Sequence, residues 1–165
     1  MLELTDIGTI KALLARHGFH FSKALGQNFI VNHSVCPRMA DESGIDSESG
    51  VIEIGAGIGV LTAELAKRAK KVVCIELDSK LLPILDETLA DFDNIEIINA
   101  DVLKIDLAAL IEEKFGGMPV YVCANLPYYI TSPVIMTLLE SRLPLKAVTV
   151  MVQREAAQRL CAPVG

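Results

Sequence analysis

The chain has 165 residues, of which 52% are hydrophobic, and its formal net charge is −6 at pH 7. This length is enough for one domain with a proper core, but the acidic balance argues against strong binding of nucleic acid through net charge. No apolar run reaches the roughly 18 residues that a membrane helix needs, and the first residues lack the basic-then-apolar order of a secretory signal.

The amino-terminal region, residues 1–50, is predicted to form a helical segment ahead of the main core. Helical patterns cover 7–17 and 33–42, with His33 at the start of the second. The stretch RHGFHFSKALGQ (16–27) is basic with interleaved phenylalanines, so it is the best local candidate for contact with RNA. A solvated entry loop explains this stretch equally well.

The rest of the chain, 51–165, alternates between apolar runs and helical patterns. Strands are predicted over 50–55, 71–77, 94–99, 119–125 and 146–152. Helices are predicted over 59–70, 79–91, 106–115, 132–141 and 153–161. The strands are nearly continuous in Val and Ile, which is typical of strands buried on both faces. This alternation predicts an α/β fold with a doubly wound, mainly parallel sheet. Thr131 is predicted to cap the fourth helix, with Pro133 in its first turn.

The sequence ends soon after the fifth predicted strand and its helix. The flank of a hydrophobic sheet would then face solvent, which is an aggregation hazard. We therefore expect a piece that is truncated after the fifth strand and lacks the last strands of its sheet.

The four cysteines, at positions 36, 74, 123 and 161, include no CxxC pair. Free thiols in a reducing cytoplasm are the main interpretation, with disulfides or zinc as the alternatives. No grouping of His, Cys and Asp in the sequence indicates a metal site.

The segment VIEIGAGIGVLTAEL (51–65) combines a strand, a glycine-rich turn and a helix. Gly55, Gly57 and Gly59 permit positive φ and a close approach of a ligand to the backbone. Their spacing differs from the G-x-G-x-x-G of dinucleotide binders, and a tight turn alone would also explain them. Glu76 closes the second strand, where a carboxylate can accept hydrogen bonds from both ribose hydroxyls.

Two further acidic residues near this turn help to predict which cofactor binds there. Glu53 stands two residues before the first glycine of the turn, and Asp101 follows the third strand. Carboxylates repel a pyrophosphate and attract a cationic sulfonium, and Asp101 can also accept from an adenine amino group. The predicted cofactor is therefore S-adenosylmethionine rather than NAD. As alternatives, Glu53 caps backbone groups and Asp101 caps a short helix.

The loop NLPYY (125–129) follows the fourth strand at the carboxyl edge of the sheet, where open α/β folds bind ligands. An exocyclic base amine is a poor nucleophile and needs acceptors for its N–H groups, which Asn125 and the Leu126 carbonyl can provide. Pro127 restrains the residue before it, and Tyr128 can stack on an unpaired base. These four residues are the predicted catalytic group, while Tyr129 is predicted to pack inward. A proline-broken strand exit with core aromatics is the alternative.

Six motifs occur together in a fixed order: LGQNFI (25–30), EIGAGIG (53–59), CIELD (74–78), NADVL (99–103), NLPYYITSP (125–133) and MVQREAAQRL (151–160). As a set, over about residues 22–160, they resemble the ribosomal RNA adenine dimethyltransferases. The resemblance implies a Rossmann-like class I methyltransferase fold. It also implies S-adenosylmethionine contacts at Asn28, Ile30, Gly55, Glu76, Asp101 and Asn125. Gly57 of the glycine turn completes the predicted cofactor site.

The function implied by the resemblance is dimethylation of N6 of two adjacent adenines near the 3′ end of small-subunit (16S) rRNA. The implied partner is this rRNA within immature 30S subunits, which the protein would methylate during ribosome biogenesis. The resemblance also implies a monomer in the cytoplasm. KALGQNF and the Leu of the NLPY motif favour this housekeeping branch. The alternatives are a macrolide-resistance type large-subunit rRNA methyltransferase and a nonenzymatic small-subunit assembly factor.

Two features depart from the family pattern. Ile30 stands where Leu is commoner, which a backbone contact would tolerate. The family also continues into a Phe-x-Pro-x-Pro loop and a small helical domain, and neither occurs in this sequence. We therefore expect this piece to bind the cofactor without full activity.

Overall fold

The computed structural model describes residues 2–20, 32–126 and 129–164. Five strands form one sheet: β1 (Gly50–Ile54), β2 (Lys71–Glu76), β3 (Ile95–Asn99), β4 (Val120–Asn125) and β5 (Leu145–Met151). The helices are α1 (Ile7–Arg16), α2 (Val35–Glu42), α3 (Val60–Ala66), α4 (Leu82–Thr88), α5 (Leu107–Phe115), α6 (Thr131–Glu140) and α7 (Arg154–Leu160). A short 3₁₀ turn, Ser79–Leu81, leads into α4.

The strand order is β3-β2-β1-β4-β5, and every neighbouring pair is parallel. The predicted doubly wound sheet is therefore confirmed, and its strands begin and end within one residue of the predicted bounds. After β1 the chain runs outward through β2 and β3, then returns to lay β4 on the other side of β1. Ligands in open α/β folds bind at the carboxyl edge beside such a reversal, so this edge between β1 and β4 is where a site is expected.

Each face of the sheet is covered by its own group of apolar side chains. On one face, Val51 and Val72 pack with Leu13 of α1 and Ala40 of α2, along with residues of α3 and α4. On the other face, the cluster combines strand residues with α5 and α6. All five residues of β1 are buried, as expected of a central parallel strand. The rigid sheet thereby fixes the positions of the loops at its carboxyl edge.

The helix ends follow local capping chemistry, with one correction. Asp106 caps α5 by accepting from the Ala109 N–H at 3.0 Å, and Gly116 ends that helix in the left-handed conformation, as capping rules favour. α6 begins at Thr131, with Ile130 at the cap position and no side-chain cap hydrogen bond. The prediction that Thr131 caps this helix is therefore wrong, because Thr131 is its first residue and is buried at 3% exposure.

The cysteines are free, as predicted: three are buried, and Cys161 is exposed. Among the described residues, no helix is long and apolar enough to cross a membrane. Within the same ranges, no group of three His, Cys, Asp or Glu side chains is arranged to hold a metal ion.

Candidate active site

The glycine turn after β1 lies at the carboxyl edge of the sheet. Gly55, Gly57 and Gly59 all have positive φ, at +77°, +59° and +94°, a region that residues with a Cβ rarely adopt. The Gly55 N–H donates to the Ile75 carbonyl at 2.9 Å, which ties the turn to β2. A Cβ on Gly55 would lie 3.7 Å from the Asn125 carbonyl oxygen. The turn therefore faces the end of β4 without a side chain between them.

Glu76 ends β2 beside this turn and is buried at 6% exposure. Its Oε2 accepts from the Gly57 N–H at 3.1 Å, and its Oε1 accepts from the Asp78 N–H at 2.9 Å. Burial raises the pKa of Glu76, while the two N–H donors oppose that rise. Each carboxylate oxygen can accept more than one hydrogen bond. Two oriented acceptors of this kind suit a pair of neighbouring hydroxyls, such as those of a ribose.

Asp101 follows β3 at the same edge. Its Oδ1 accepts from the Leu103 N–H at 3.0 Å, so one oxygen stabilises a turn over residues 102–104, where the alternative predicted a short capped helix. Its Oδ2 lies 3.9 Å from the Lys104 Nζ, and Lys104 is largely exposed. Because exposed pairs of this kind are weak, Oδ2 can still accept from a ligand amine.

Two apolar side chains beside these acids were not predicted as site residues. Leu77 follows Glu76 and is 53% exposed, and Leu103 lies two residues after Asp101 and is 41% exposed. Large apolar side chains next to hydrogen-bond acceptors are the usual lining of a small-molecule site. The sequence signal was present, since a Leu stands one residue after the acid in CIELD and two residues after it in NADVL.

Glu53 is not an acid of the crevice, and that expectation is wrong. Its side chain is 1% exposed and lies between Cys74 and Cys123 in the strand register. Successive strand residues point to opposite faces, and this side chain points toward the face that α3 covers. The Cys74 thiol donates to its Oε2 at 3.3 Å. The hydroxyl of Thr62 lies near this carboxyl and lowers its pKa. Among the described residues, this hydroxyl forms no hydrogen bond of normal geometry.

Burial is the main influence on the ionisation of Glu53. Desolvation raises the pKa of its carboxyl to about 7, and the charge of Glu76 adds to the rise. At neutral pH a large fraction of Glu53 is therefore protonated. Since Glu53 is buried at 1% exposure, the two predicted acids that remain at the carboxyl edge are Glu76 and Asp101.

The end of β4 carries the predicted acceptors for a substrate amine. Asn125 pairs with Met151 of β5 in the strand register, and the Leu126 N–H donates to the Met151 carbonyl at 3.3 Å. This bond fixes the backbone from which the Leu126 carbonyl extends. Pro127 and Tyr128 lie outside the described residues, as do Asn28 and Ile30 of the predicted cofactor site. The structure thus brings Gly55, Gly57, Glu76, Asp101 and Asn125 to one edge of the sheet.

Tyr129 does not pack inward, so that prediction is wrong. It is 42% exposed, because it lies in the turn between the end of β4 and the start of α6 rather than beneath either element.

The basic stretch proposed to approach RNA is described only for residues 16–20. Within it, Arg16 pairs with Glu87 of α4, and the His17 Nε2 lies 2.6 Å from the other oxygen of that carboxylate. These contacts join α1 to α4. The hydrogen bond from His17 and the contacts of Arg16 lower the pKa of Glu87. Part of the positive charge of this stretch is therefore neutralised within the chain.

Comparison with known proteins identifies the chain's relatives. The family model described as "Ribosomal RNA adenine dimethylase" matches residues 18–165. Over 164 residues the chain is 53% identical to the ribosomal RNA small subunit methyltransferase A of Geobacillus thermodenitrificans, a match that covers 99% of the chain and 56% of the relative. The chain therefore spans about half the length of the curated relatives that it matches.

Solved structures agree with this relationship. A dimethyladenosine transferase from Plasmodium falciparum superposes with a TM-score of 0.67 at 31% identity, covering 81% of this chain and 46% of that one. The 23S rRNA methyltransferase ErmE superposes with the same score at 32% identity, covering 79% and 50%. The sheet order, the site at its carboxyl edge and the family match lead to one conclusion: the chain belongs to the ribosomal RNA adenine dimethylase family.

Proposed function

We propose that the protein transfers methyl groups from S-adenosylmethionine to N6 of two adjacent adenines near the 3′ end of 16S rRNA, within immature 30S subunits. The observation that carries this proposal is the meeting of the glycine turn, the oriented Glu76 carboxylate and the end of β4 at one edge of the sheet. The family match supports it, as does the similarity to the Geobacillus relative, which is named a ribosomal RNA small subunit methyltransferase.

The residues at this edge fit S-adenosylmethionine. Glu76 has two oriented oxygens for the ribose hydroxyls, and the bare backbone at Gly55 admits a ligand close to β1. Asp101 offers Oδ2 to the adenine amino group, and Leu77 and Leu103 offer apolar surface to the purine ring. When bound, the cofactor supplies a methyl group on a positively charged sulfur, which carboxylates attract. Asn28 and Ile30 are proposed contacts from the resemblance.

The end of β4 is proposed to hold the target adenine. The side-chain oxygen of Asn125 and the carbonyl of Leu126 accept the two N–H bonds of the exocyclic amine, which directs its lone pair toward the methyl donor. The hydrogen bond from the Leu126 N–H to the Met151 carbonyl holds the peptide unit that joins these two acceptors. Tyr128 stacks on the base, and Pro127 restrains the loop. No strong base is needed, since a methylated ammonium loses its proton readily to water.

The net negative charge of the chain affects how it can bind RNA. The chain has a net charge of −6, and part of the positive charge near α1 is neutralised because Arg16 and His17 pair with Glu87. We propose that this region approaches rRNA through shape and local contacts, and that the enzyme acts as a cytoplasmic monomer. The curated relatives are nearly twice as long, so the activity is a proposal for the whole protein.

The experiment that tests this proposal is methylation of defined ribosomal substrates by the full-length protein. Immature 30S subunits and protein-free 23S rRNA are incubated with S-adenosylmethionine, and mass spectrometry measures N6,N6-dimethyladenosine in each. We expect dimethylation of 16S rRNA only. Methylation confined to 23S rRNA would favour the large-subunit alternative, and binding to 30S subunits without any methylation would favour an assembly factor.

The role of Asn125 is tested in the same assay. Asn125→Ala should abolish methylation while keeping cofactor affinity within about tenfold, or ~1.4 kcal/mol. Asn94→Ala is the matched control, because this asparagine lies at the amino end of β3 and should leave methylation unchanged. Normal activity of the Asn125 variant would remove the proposed acceptor.

A further inference from the structure

Asn99, the last residue of β3, is exposed but holds the end of β2 by its side chain. Its Nδ2 donates to the Glu76 carbonyl at 2.8 Å and to the Leu77 carbonyl at 3.2 Å. Both partners are acceptors, so this nitrogen is necessarily the atom that faces them. The Ala100 N–H donates to the same Glu76 carbonyl at 3.1 Å. The end of β3 therefore forms hydrogen bonds with the backbone of Glu76, whose carboxylate faces the glycine turn.

The contact controls the geometry of residues 76–78. The Asp78 N–H donates to the Glu76 Oε1 at 2.9 Å, so the orientation of the peptide unit between residues 77 and 78 sets the direction of this donor. The Leu77 carbonyl, which Asn99 holds, belongs to the peptide unit that carries this N–H. If the Asn99 amide is removed, this peptide is free to rotate, and Oε1 loses one of the donors that orient it.

We propose that Asn99 is a positioning residue for the cofactor site, acting through Glu76. The inference rests on the proposed use of Glu76 to bind the ribose of S-adenosylmethionine. The Asn99 amide joins the strand that delivers Asp101 to the strand that delivers Glu76, and so fixes the spacing of the two acids. It touches neither the cofactor's reacting atoms nor the substrate.

The chain contains a matched control for this contact. Asn94, at the other end of β3, uses its Nδ2 in the same way, donating to the Ala66 and Ala69 carbonyls at 2.9 and 3.1 Å. The two asparagines are five positions apart along the chain, or about 16 Å in an extended strand. A substitution at Asn94 therefore removes an equivalent pair of hydrogen bonds without touching the carboxyl edge.

The first test needs no ligand. In two-dimensional ¹H–¹⁵N spectra, Asn99→Ala should shift the amide signals of Gly57 and Asp78, which bond to the Glu76 carboxylate, whereas Asn94→Ala should leave them in place. Unmoved signals in the Asn99 variant would overturn the inference. If Asn99→Ala fails to fold, Asn99→Ser, which keeps one shorter donor, replaces it and should give a smaller shift of the same signals.

The second test measures binding of S-adenosylhomocysteine, the neutral-sulfur product, by calorimetry. Asn99→Ala should weaken binding at least tenfold, and Asn94→Ala less than twofold. In a Glu76→Gln background, Asn99→Ala should cost less than twofold, because its effect passes through that carboxylate. Equal losses in both backgrounds, or equal losses for the two asparagines, would overturn the inference. Shifted amides in the Asn99 variant, combined with no ligand binding by the wild-type protein, would support the contact and overturn the proposed cofactor.

Discussion

The backbone N–H of Gly57 and the carboxylate of Glu76 are joined by a 3.1 Å hydrogen bond across the carboxyl edge of the sheet. The bond couples the turn that approaches the ligand to the acid that would hold its ribose. Both groups belong to the chain itself, so the bond holds the carboxylate in a fixed direction relative to the turn. An acceptor that is already oriented lowers the entropic cost of binding.

Glu76→Ala should weaken cofactor binding, because it removes the acceptors for the ribose hydroxyls. Hydrogen bonds to a charged group contribute about 2 kcal/mol, so we expect roughly a thirtyfold rise in Kd. Calorimetry with S-adenosylhomocysteine measures it. Glu112→Ala is the control, since Glu112 is exposed on α5 and should leave Kd unchanged. An unchanged Kd for the Glu76 variant would remove the ribose assignment.

Asp101→Asn and Asp101→Ala separate the two roles of this side chain. Asn can still accept the Leu103 N–H and keep the turn, but it lacks the negative charge. We expect Asp101→Asn to keep the melting temperature and to raise the Kd for S-adenosylmethionine by about threefold to tenfold, and Asp101→Ala to lower both stability and affinity. Thermal unfolding measures the melting temperature, and calorimetry measures the Kd. Wild-type affinity in both variants would show that Oδ2 does not meet the cofactor.

Glu53 should make the protein less stable as pH rises through the range of its titration. Below its ordinary pKa of 4.5, the folded and unfolded states are both protonated. Between 4.5 and about 7 only the unfolded state loses its proton, so the free energy of unfolding falls with pH and then levels off. The full shift corresponds to about 3 kcal/mol.

Glu53→Gln is the variant that isolates this effect, because Gln is neutral at every pH and can still accept from the Cys74 thiol. Urea unfolding at pH 4.5 and at pH 8 should show a smaller loss of stability in the variant than in the wild type. If the free energy of unfolding of the variant depends on pH as it does in the wild type, Glu53 is not the group whose protonation causes the effect.

Two helix ends differ in how well their residues suit a left-handed conformation. Gly116 ends α5 at φ +53°, whereas Arg142 follows α6 at φ +48° with a side chain. A Cβ on Gly116 would meet nothing within 4 Å, so backbone strain alone acts there. Gly116→Ala should lower the free energy of unfolding by about 1 kcal/mol, and Arg142→Gly should raise it by about 0.5 kcal/mol. Denaturant unfolding measures both, and shifts of the same sign would contradict the assignment.

The strands could be predicted closely because parallel strands buried on both faces are continuous in apolar residues, and Gly50 and Lys71 mark where two of them begin. The positions of Gly55, Glu76 and Asp101 followed from their places at strand ends. The order of the strands depends on tertiary packing, which periodicity does not report.

The wrong predictions for Glu53 and Tyr129 and the omission of Asn99 have a common cause, since each concerns the direction of one side chain. The short distance of Glu53 along the chain from the glycines predicts a place in the crevice, but the alternation of β1 turns its side chain into the core. The aromatic ring of Tyr129 predicts a place in the core, but the turn before α6 leaves it exposed. Asn99 was overlooked because an exposed polar residue at a strand end looks ordinary until its partners are known.

The account depends most directly on whether the protein binds the proposed cofactor at the carboxyl edge. Calorimetric titration of the folded wild-type protein with S-adenosylhomocysteine measures this, with Glu76→Ala titrated in parallel. We predict saturable binding at one site per chain that is strongly weakened in the variant. No heat of binding in a wild-type protein shown to be folded by circular dichroism would contradict the account.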